Sequence, residues 1–224
     1  MSVTFDSLFS DHVLASFDKQ LRLADAHGDD DWGFDMTSGV ITFNGSVDYQ
    51  IQILGTEDHT AETWMWGWAN HASGIPENLL VASNQLLAIG EEHGVDELTT
   101  SVLPMDDLEG HRVGLIASGI AGAEAYYRCP YEGGALFVLI TDSSLELSVD
   151  DELVRATRVI PQGISTFEIS DHRRAIAPYL THLGFEIKDV GVNLEAQTEG
   201  RSVMTAKFDR MNRLTKLESA IGPR

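Results

Sequence analysis

Apolar positions along this chain repeat with two periods, and the changes between them delimit its elements. Over 7–27, Val13, Phe17, Leu21 and Ala24 recur at spacings of four, four and three. That places them on one face of a helix, and Gly28 suits its C-terminal cap. The period then drops to two. "DWGFDM" and "VITF" flank the turn "TSG", and Asn44-Gly45 is a hairpin signal ahead of "VDYQIQIL". In that strand Val47, Tyr49, Ile51 and Ile53 alternate with Asp48, Gln50 and Gln52, giving one dry and one wet face. After the loop "GTEDHTAE", Trp64, Trp66 and Trp68 occupy every second position of another strand. Three exposed indoles would make a large apolar patch. The row is therefore expected mostly in the core, on the dry face of the preceding strand. Helix 7–27 or 76–93 is expected over it, with Trp66 the most buried.

The helix over 76–93 has Pro76 in its first turn, Leu79, Ala82, Leu86 and Ile89 on one face, and Gly94 at its end. "DDLEGHRVGLIASGIAGAEAYY" reads as a further helix, whose Gly110, Gly114, Gly119 and Gly122 let a neighbouring element approach. "RCPYEGG" reads as a loop, and the continuous apolar run "ALFVLI" as a central buried strand. "SVDDEL" begins a short helix through about 158. Another helix spans 170–184, with Ser170 or Asp171 as cap, Pro178 as a kink or the end of its first segment, and Gly184 as stop. A second meander follows over 185–190, 192–197, 202–208 and 213–218. The pattern predicts an α+β fold, with antiparallel meanders near both ends and a helical middle packed on the sheet. It is expected in a single domain, 1–224, with 105–111 as the candidate subdivision.

Charge sharpens that division. Residues 1–111 hold two basic and 20 acidic residues, whereas 112–224 hold 13 and 15, within a net charge of −20. Phosphate contacts need a basic surface, so nucleic acid is excluded as a partner, and anionic membranes are disfavoured for the same reason. A field of this sign instead suits a basic partner or a cation, and solubility or an acidic proteome accounts for it equally without any partner. The lone Cys129 leaves no internal disulfide. "MSVTFDSLFSDH" lacks the features of a secretory signal, and "GLIASGIAGA" and "GALFVLIT" are far shorter than the roughly 20 residues that span a bilayer. A cytoplasmic location is expected.

"DYQIQILGTEDHTAETWMWGWAN", preceded by "DWGFD", resembles a bacterial family of uncharacterised proteins. That family carries a Q-I-L-G-T segment and a T-W-x-W-x-W-A-N strand, which fall here on Gln52–Thr56 and Thr63–Asn70. "YYRCPYEGG" and "FDRMNRLTKL" are similar to its later segments, more loosely. The resemblance implies a stand-alone bacterial cytosolic protein and brings no activity with it.

Candidate chemistry is sparse. "GDDDWGFD" and "EEHG" are acidic enough for magnesium or calcium but lack the calcium-loop spacing, and solvated turns explain them better. The eight histidines form no H-E-x-x-H, one cysteine builds no usual zinc site, and neither a P-loop nor a dinucleotide fingerprint is present. No metal, nucleotide or other cofactor is expected, and no catalytic residue is assigned. His59 adjoins Glu57 and Asp58, which could orient it as a base. Tyr127, Arg128 and Cys129 form a second cluster, in which the arginine could activate the thiol, although a free cysteine is more often a small buried hydrophobe. Gln52 and Asn70 are amides beside the aromatic strand, suited to a ligand or to strand-end backbone. The candidate ligand-binding residues are thus Gln52, His59, Asn70, Tyr127 and Arg128. The leading function class is a non-catalytic acidic binding or regulatory protein, neutralising a basic protein as a bacterial immunity or inhibitor protein would. The alternatives are an enzyme of unknown reaction and a small-ligand-binding module.

Overall fold

The first apolar stripe folds as α1 (Phe5–His27), and the computed structural model, which describes residues 2–142, 145 and 152–219, has an α+β fold. Contacts gather into two compact units, the first from 1–5 and 19–147, the second from 6–18 and 148–224.

In the first unit seven strands form one antiparallel sheet: β1 (Trp32–Asp35), β2 (Val40–Phe43), β3 (Val47–Asp58), β4 (Thr63–Trp66), β5 (Val102–Pro104), β6 (Ala125–Tyr131) and β7 (Gly134–Ile140). The long β3 is its hub. Residues 47–50 pair with β2, 55–58 with β4, and 51–58 with β7 on the other edge. "ALFVLI" is the central strand its unbroken hydrophobicity predicts, since β7 lies between β3 and β6. The expected loop "RCPYEGG" is instead the end of β6 and the turn into β7. Among the described residues β6 pairs only with β7, and an edge strand tolerates the missing N–H of Pro130.

The helices α2 (Val81–His93), α3 (Asp96–Thr99) and α4 (Gly110–Ala121) belong to this unit. Pro76 does not start α2. A 3-10 turn, Glu77–Leu79, comes first, because Gln52 holds that segment to the sheet through the Asn78 carbonyl and the Ala82 N–H. The helix expected to run into "AYY" stops at Ala121, where Gly122 turns left-handed (φ 63°) and frees the chain to enter β6.

The tryptophan row is the main correction. Ile53 lies opposite Val138 but Gly55 lies opposite Phe137, so Leu54 is an extra residue, a bulge that moves the rest of β3 to the other side of the sheet. Tyr49, Ile51 and Ile53 cluster with Leu23, Phe43 and Val138 on one side. Trp64 and Trp66, paired with Glu57 and Gly55, lie on the other, with Trp64 against Phe137 at 5.4 Å. Both indoles are fully buried, so the row is core, though not on the dry face of the alternating segment, and Trp66 is no more buried than Trp64. Trp68 leaves the row, because Gly67–Ala69 is a 3-10 turn. Gly55 is required here: a Cβ would meet the Trp64 ring at 2.5 Å. Gly110 and Gly114 do permit close approach, to Phe137 and Glu57 and to Tyr126 respectively.

The second unit holds residues 6–18 of α1, α5 (Glu152–Thr166), α6 (His172–His182) and the antiparallel meander β8 (Glu186–Val190), β9 (Asn193–Thr198), β10 (Arg201–Phe208) and β11 (Leu214–Ser219). α5 runs well past 158, and its expected start at "SVDD" lies outside the described residues. Leu194, Ala196, Met204, Ala206 and Phe208 give the sheet its buried face. Buried Arg155 pairs with Asp18, donates from Nη2 to the Asp18 carbonyl at 3.2 Å, and shares Asp18 with the Tyr179 hydroxyl at 3.3 Å.

Candidate functional site

Beyond the bulge, β3 aims Glu57 inward and leaves Asp58 outside. Glu57 is the one buried acid among the described residues of the first unit. A lone buried carboxylate carries a heavy desolvation cost and needs a partner. Arg128 provides it from β6, reaching across β7 past Ala135, the small residue opposite Glu57. Its Nε and Nη2 donate to Glu57 Oε2 at 3.2 and 3.1 Å, and its guanidinium lies over Phe137 at 5.9 Å. Nη2 also approaches His59 Nε2 at 3.1 Å. An arginine only donates, so His59 Nε2 is the acceptor in this contact, and it also lies 3.5 Å from Glu57 Oε2. The Tyr131 hydroxyl donates to the Glu57 carbonyl at 3.4 Å, and the first residue of α4, Gly110, packs against Glu57 Oε1.

The structure thus brings together two sequence candidates, His59 and Arg128, around Glu57, and it separates the others. Tyr127 and Cys129 point to the opposite side of β6 from Arg128. Tyr127 packs edge-on against Trp32 and Phe43, and burial raises its phenol pKa. Cys129 is a buried strand residue, not a loop thiol, and burial pushes its pKa up to about 12. Activation of that thiol by Arg128 is therefore overturned. Both amides serve the backbone: Gln52 holds Asn78 and Ala82, and Asn70 Oδ1 accepts from the Ser73 N–H at 3.3 Å.

The acidic turns have local work as well. Asp58 accepts from the Thr60 and Ala61 N–H groups, and those bonds hold its pKa down. In "GDDDWGFD", Asp30 is bonded to His27 Nδ1 at 2.7 Å, while His27 Nε2 meets the Tyr49 hydroxyl at 3.1 Å and its ring stacks on Phe43. The His27 hydrogen bond, foremost, lowers the Asp30 pKa. Among the described residues no group of three or more His, Cys, Asp or Glu side chains is placed to hold a metal ion.

Sequence reasoning missed Glu57 as the centre of this cluster, because its partner lies 71 residues away. The available signal was a charge at the position facing Trp64 across the β3–β4 hairpin.

No curated protein and no solved structure matches this chain. Residues 6–143 match a family model, and that span contains the Gln52–Thr56 and Thr63–Asn70 blocks and the whole Glu57–Arg128–His59 cluster, though not "FDRMNRLTKL". The chain belongs to the Family of unknown function DUF6882.

Proposed function

We propose that this is a cytoplasmic, non-catalytic binding protein whose acidic first unit recruits and neutralises a basic protein, as an immunity or inhibitor protein does. One observation carries the reading. The first unit has 21 acidic and four basic residues, a net −17, and fifteen of the acids are exposed while none of the four cations is. Lys19 donates to the Ala123 carbonyl, Arg112 lies over Phe5, Arg128 is held by Glu57, and Arg22 is likewise engaged. Among the described residues of this unit, the exposed Asp, Glu, Lys and Arg side chains are therefore all negative.

Several of these acids gather at one end of the sheet. Three connections there carry Asp58, Glu62, Asp106, Asp107, Glu109 and Glu132, all exposed. They are tied together by the Met105 N–H on the Glu62 carbonyl and the His59 N–H on the Gly133 carbonyl, each 2.9 Å. Tyr131, 53% exposed, offers a ring to which a partner's lysine or arginine can bind by cation–π attraction.

Such a contact is steered electrostatically and weakens with salt. Capture from source lysate should enrich basic proteins at low ionic strength and lose them at high. The variant D106K/D107K/E132K should lose most of that set; an unchanged bound set would sink the proposal.

A further inference from the structure

The second unit leaves an apolar patch uncovered at one end of its meander. The β8–β9 turn (191–192) and the β10–β11 turn (209–213) lie side by side, since Asn193 pairs with Lys207. Arg173, in the first turn of α6, fixes both. Its N–H donates to the Asn212 carbonyl at 3.3 Å and its Nη1 to the Val192 carbonyl at 3.0 Å, while its guanidinium covers Phe208 at 5.4 Å. Around these turns Val190, Val192 and Met211 are 44, 67 and 68% exposed, three of the eight large apolar side chains exposed among the described residues.

The charges beside them are unevenly committed. Asp171 accepts from the Arg174 N–H and Asn212 Nδ2, Asp189 pairs with Arg173, and Asp209 accepts from the Met211 and Arg213 N–H groups. Arg210 and Arg213 are exposed, and among the described residues neither guanidinium makes a hydrogen bond or an ion pair. The patch offers apolar contact flanked by Arg210 and by Arg213, whose charge also acts on nearby Asp209.

We propose that this end of the second unit docks on the acidic first unit of a second copy of the chain, head to tail. Charge complementarity selects that occupant. The first unit is −17 with every cation engaged, whereas the second has 14 acidic and 11 basic residues. An approach of second unit to first avoids setting −17 against −17, and repulsion between the remaining surfaces is screened beyond about 8 Å at physiological ionic strength. The two surfaces differ, so the contact is heterologous, and each added copy exposes the same pair of surfaces again until a ring closes.

Sedimentation equilibrium of the purified full chain tests this. The weight-average mass should rise with concentration beyond a dimer, and R210E/R213E should hold it at the monomer; circular dichroism checks that the variant is folded. Mixing R210E/R213E with D106K/D107K/E132K leaves one productive interface, so the mixture should stop at a one-to-one dimer. A monomer at every concentration, or association untouched by R210E/R213E, overturns the proposal. The outcome is independent of lysate capture, because no basic protein is present in the cell.

Discussion

Trp64 and Trp66 differ in one respect that a pair of conservative substitutions can isolate. Both are fully buried, and their rings meet edge to face at 5.4 Å. The Trp66 indole N–H donates to the Glu97 carbonyl at 3.0 Å, whereas the Trp64 N–H has no partner among the described residues. Replacing either by phenylalanine removes the same atoms from a packed interior, so transfer and cavity costs largely cancel in the difference. At Trp66 a hydrogen bond worth about 0.5–1.5 kcal/mol is lost. At Trp64 a buried, unsatisfied donor is removed, which relieves about 1–3 kcal/mol. Trp66→Phe should therefore be the more destabilising by about 2–4 kcal/mol. Urea titration followed by far-ultraviolet circular dichroism reads this as a lower midpoint for Trp66→Phe at unchanged slope. In thermal melts of a chain this size the gap should be about 4 °C or more. Equal losses, or a greater loss at Trp64, would refute the argument that its N–H is uncompensated.

Two further outcomes follow from buried groups. Asp18→Asn or Arg155→Met alone should cost about 3–5 kcal/mol, because each strands a buried charge, while the double variant with Asp18→Leu should recover much of that; a chemical-denaturation cycle measures it. Cys129, its thiol raised by burial from 9.0 to about 12, should resist alkylation at pH 8 until the chain is unfolded. Since the folded value is the higher, its contribution to stability is whole below pH 9 and is lost as pH rises from 9 toward 12. Cys129→Ala should flatten that fall in the unfolding midpoint, and an unchanged slope would count against the assignment.

Much of the fold was legible because period and punctuation agreed. The helical stripe of α1, the Asn44-Gly45 turn, the unbroken hydrophobicity of β7 and the alternation of β9 and β10 each name their element without help from the rest of the chain. The errors lie where a single residue changes the geometry. Leu54 has no feature that marks it as a bulge, yet it reverses the facing of everything after it in β3. Gly122, read as a packing glycine, ends α4 and turns "AYYRCPY" from helix and loop into an edge strand. The cluster depended on both. Only with the bulge does Glu57 turn inward, and only with β6 extended does Arg128 reach it.

That dependence also links the Glu57–Arg128 pair to the acidic surface. In a unit of net −17, an exposed arginine would attract the surrounding carboxylates and dilute the negative field. Holding Arg128 against Glu57 confines its charge to a pair, and the connections around it present their carboxylates outward. Arg22 and Lys19 do the same from α1, half-buried and engaged. The interior of the first unit therefore needs its few cations for packing and charge neutralisation. The negative surface follows from where those four side chains sit as well as from the number of acids.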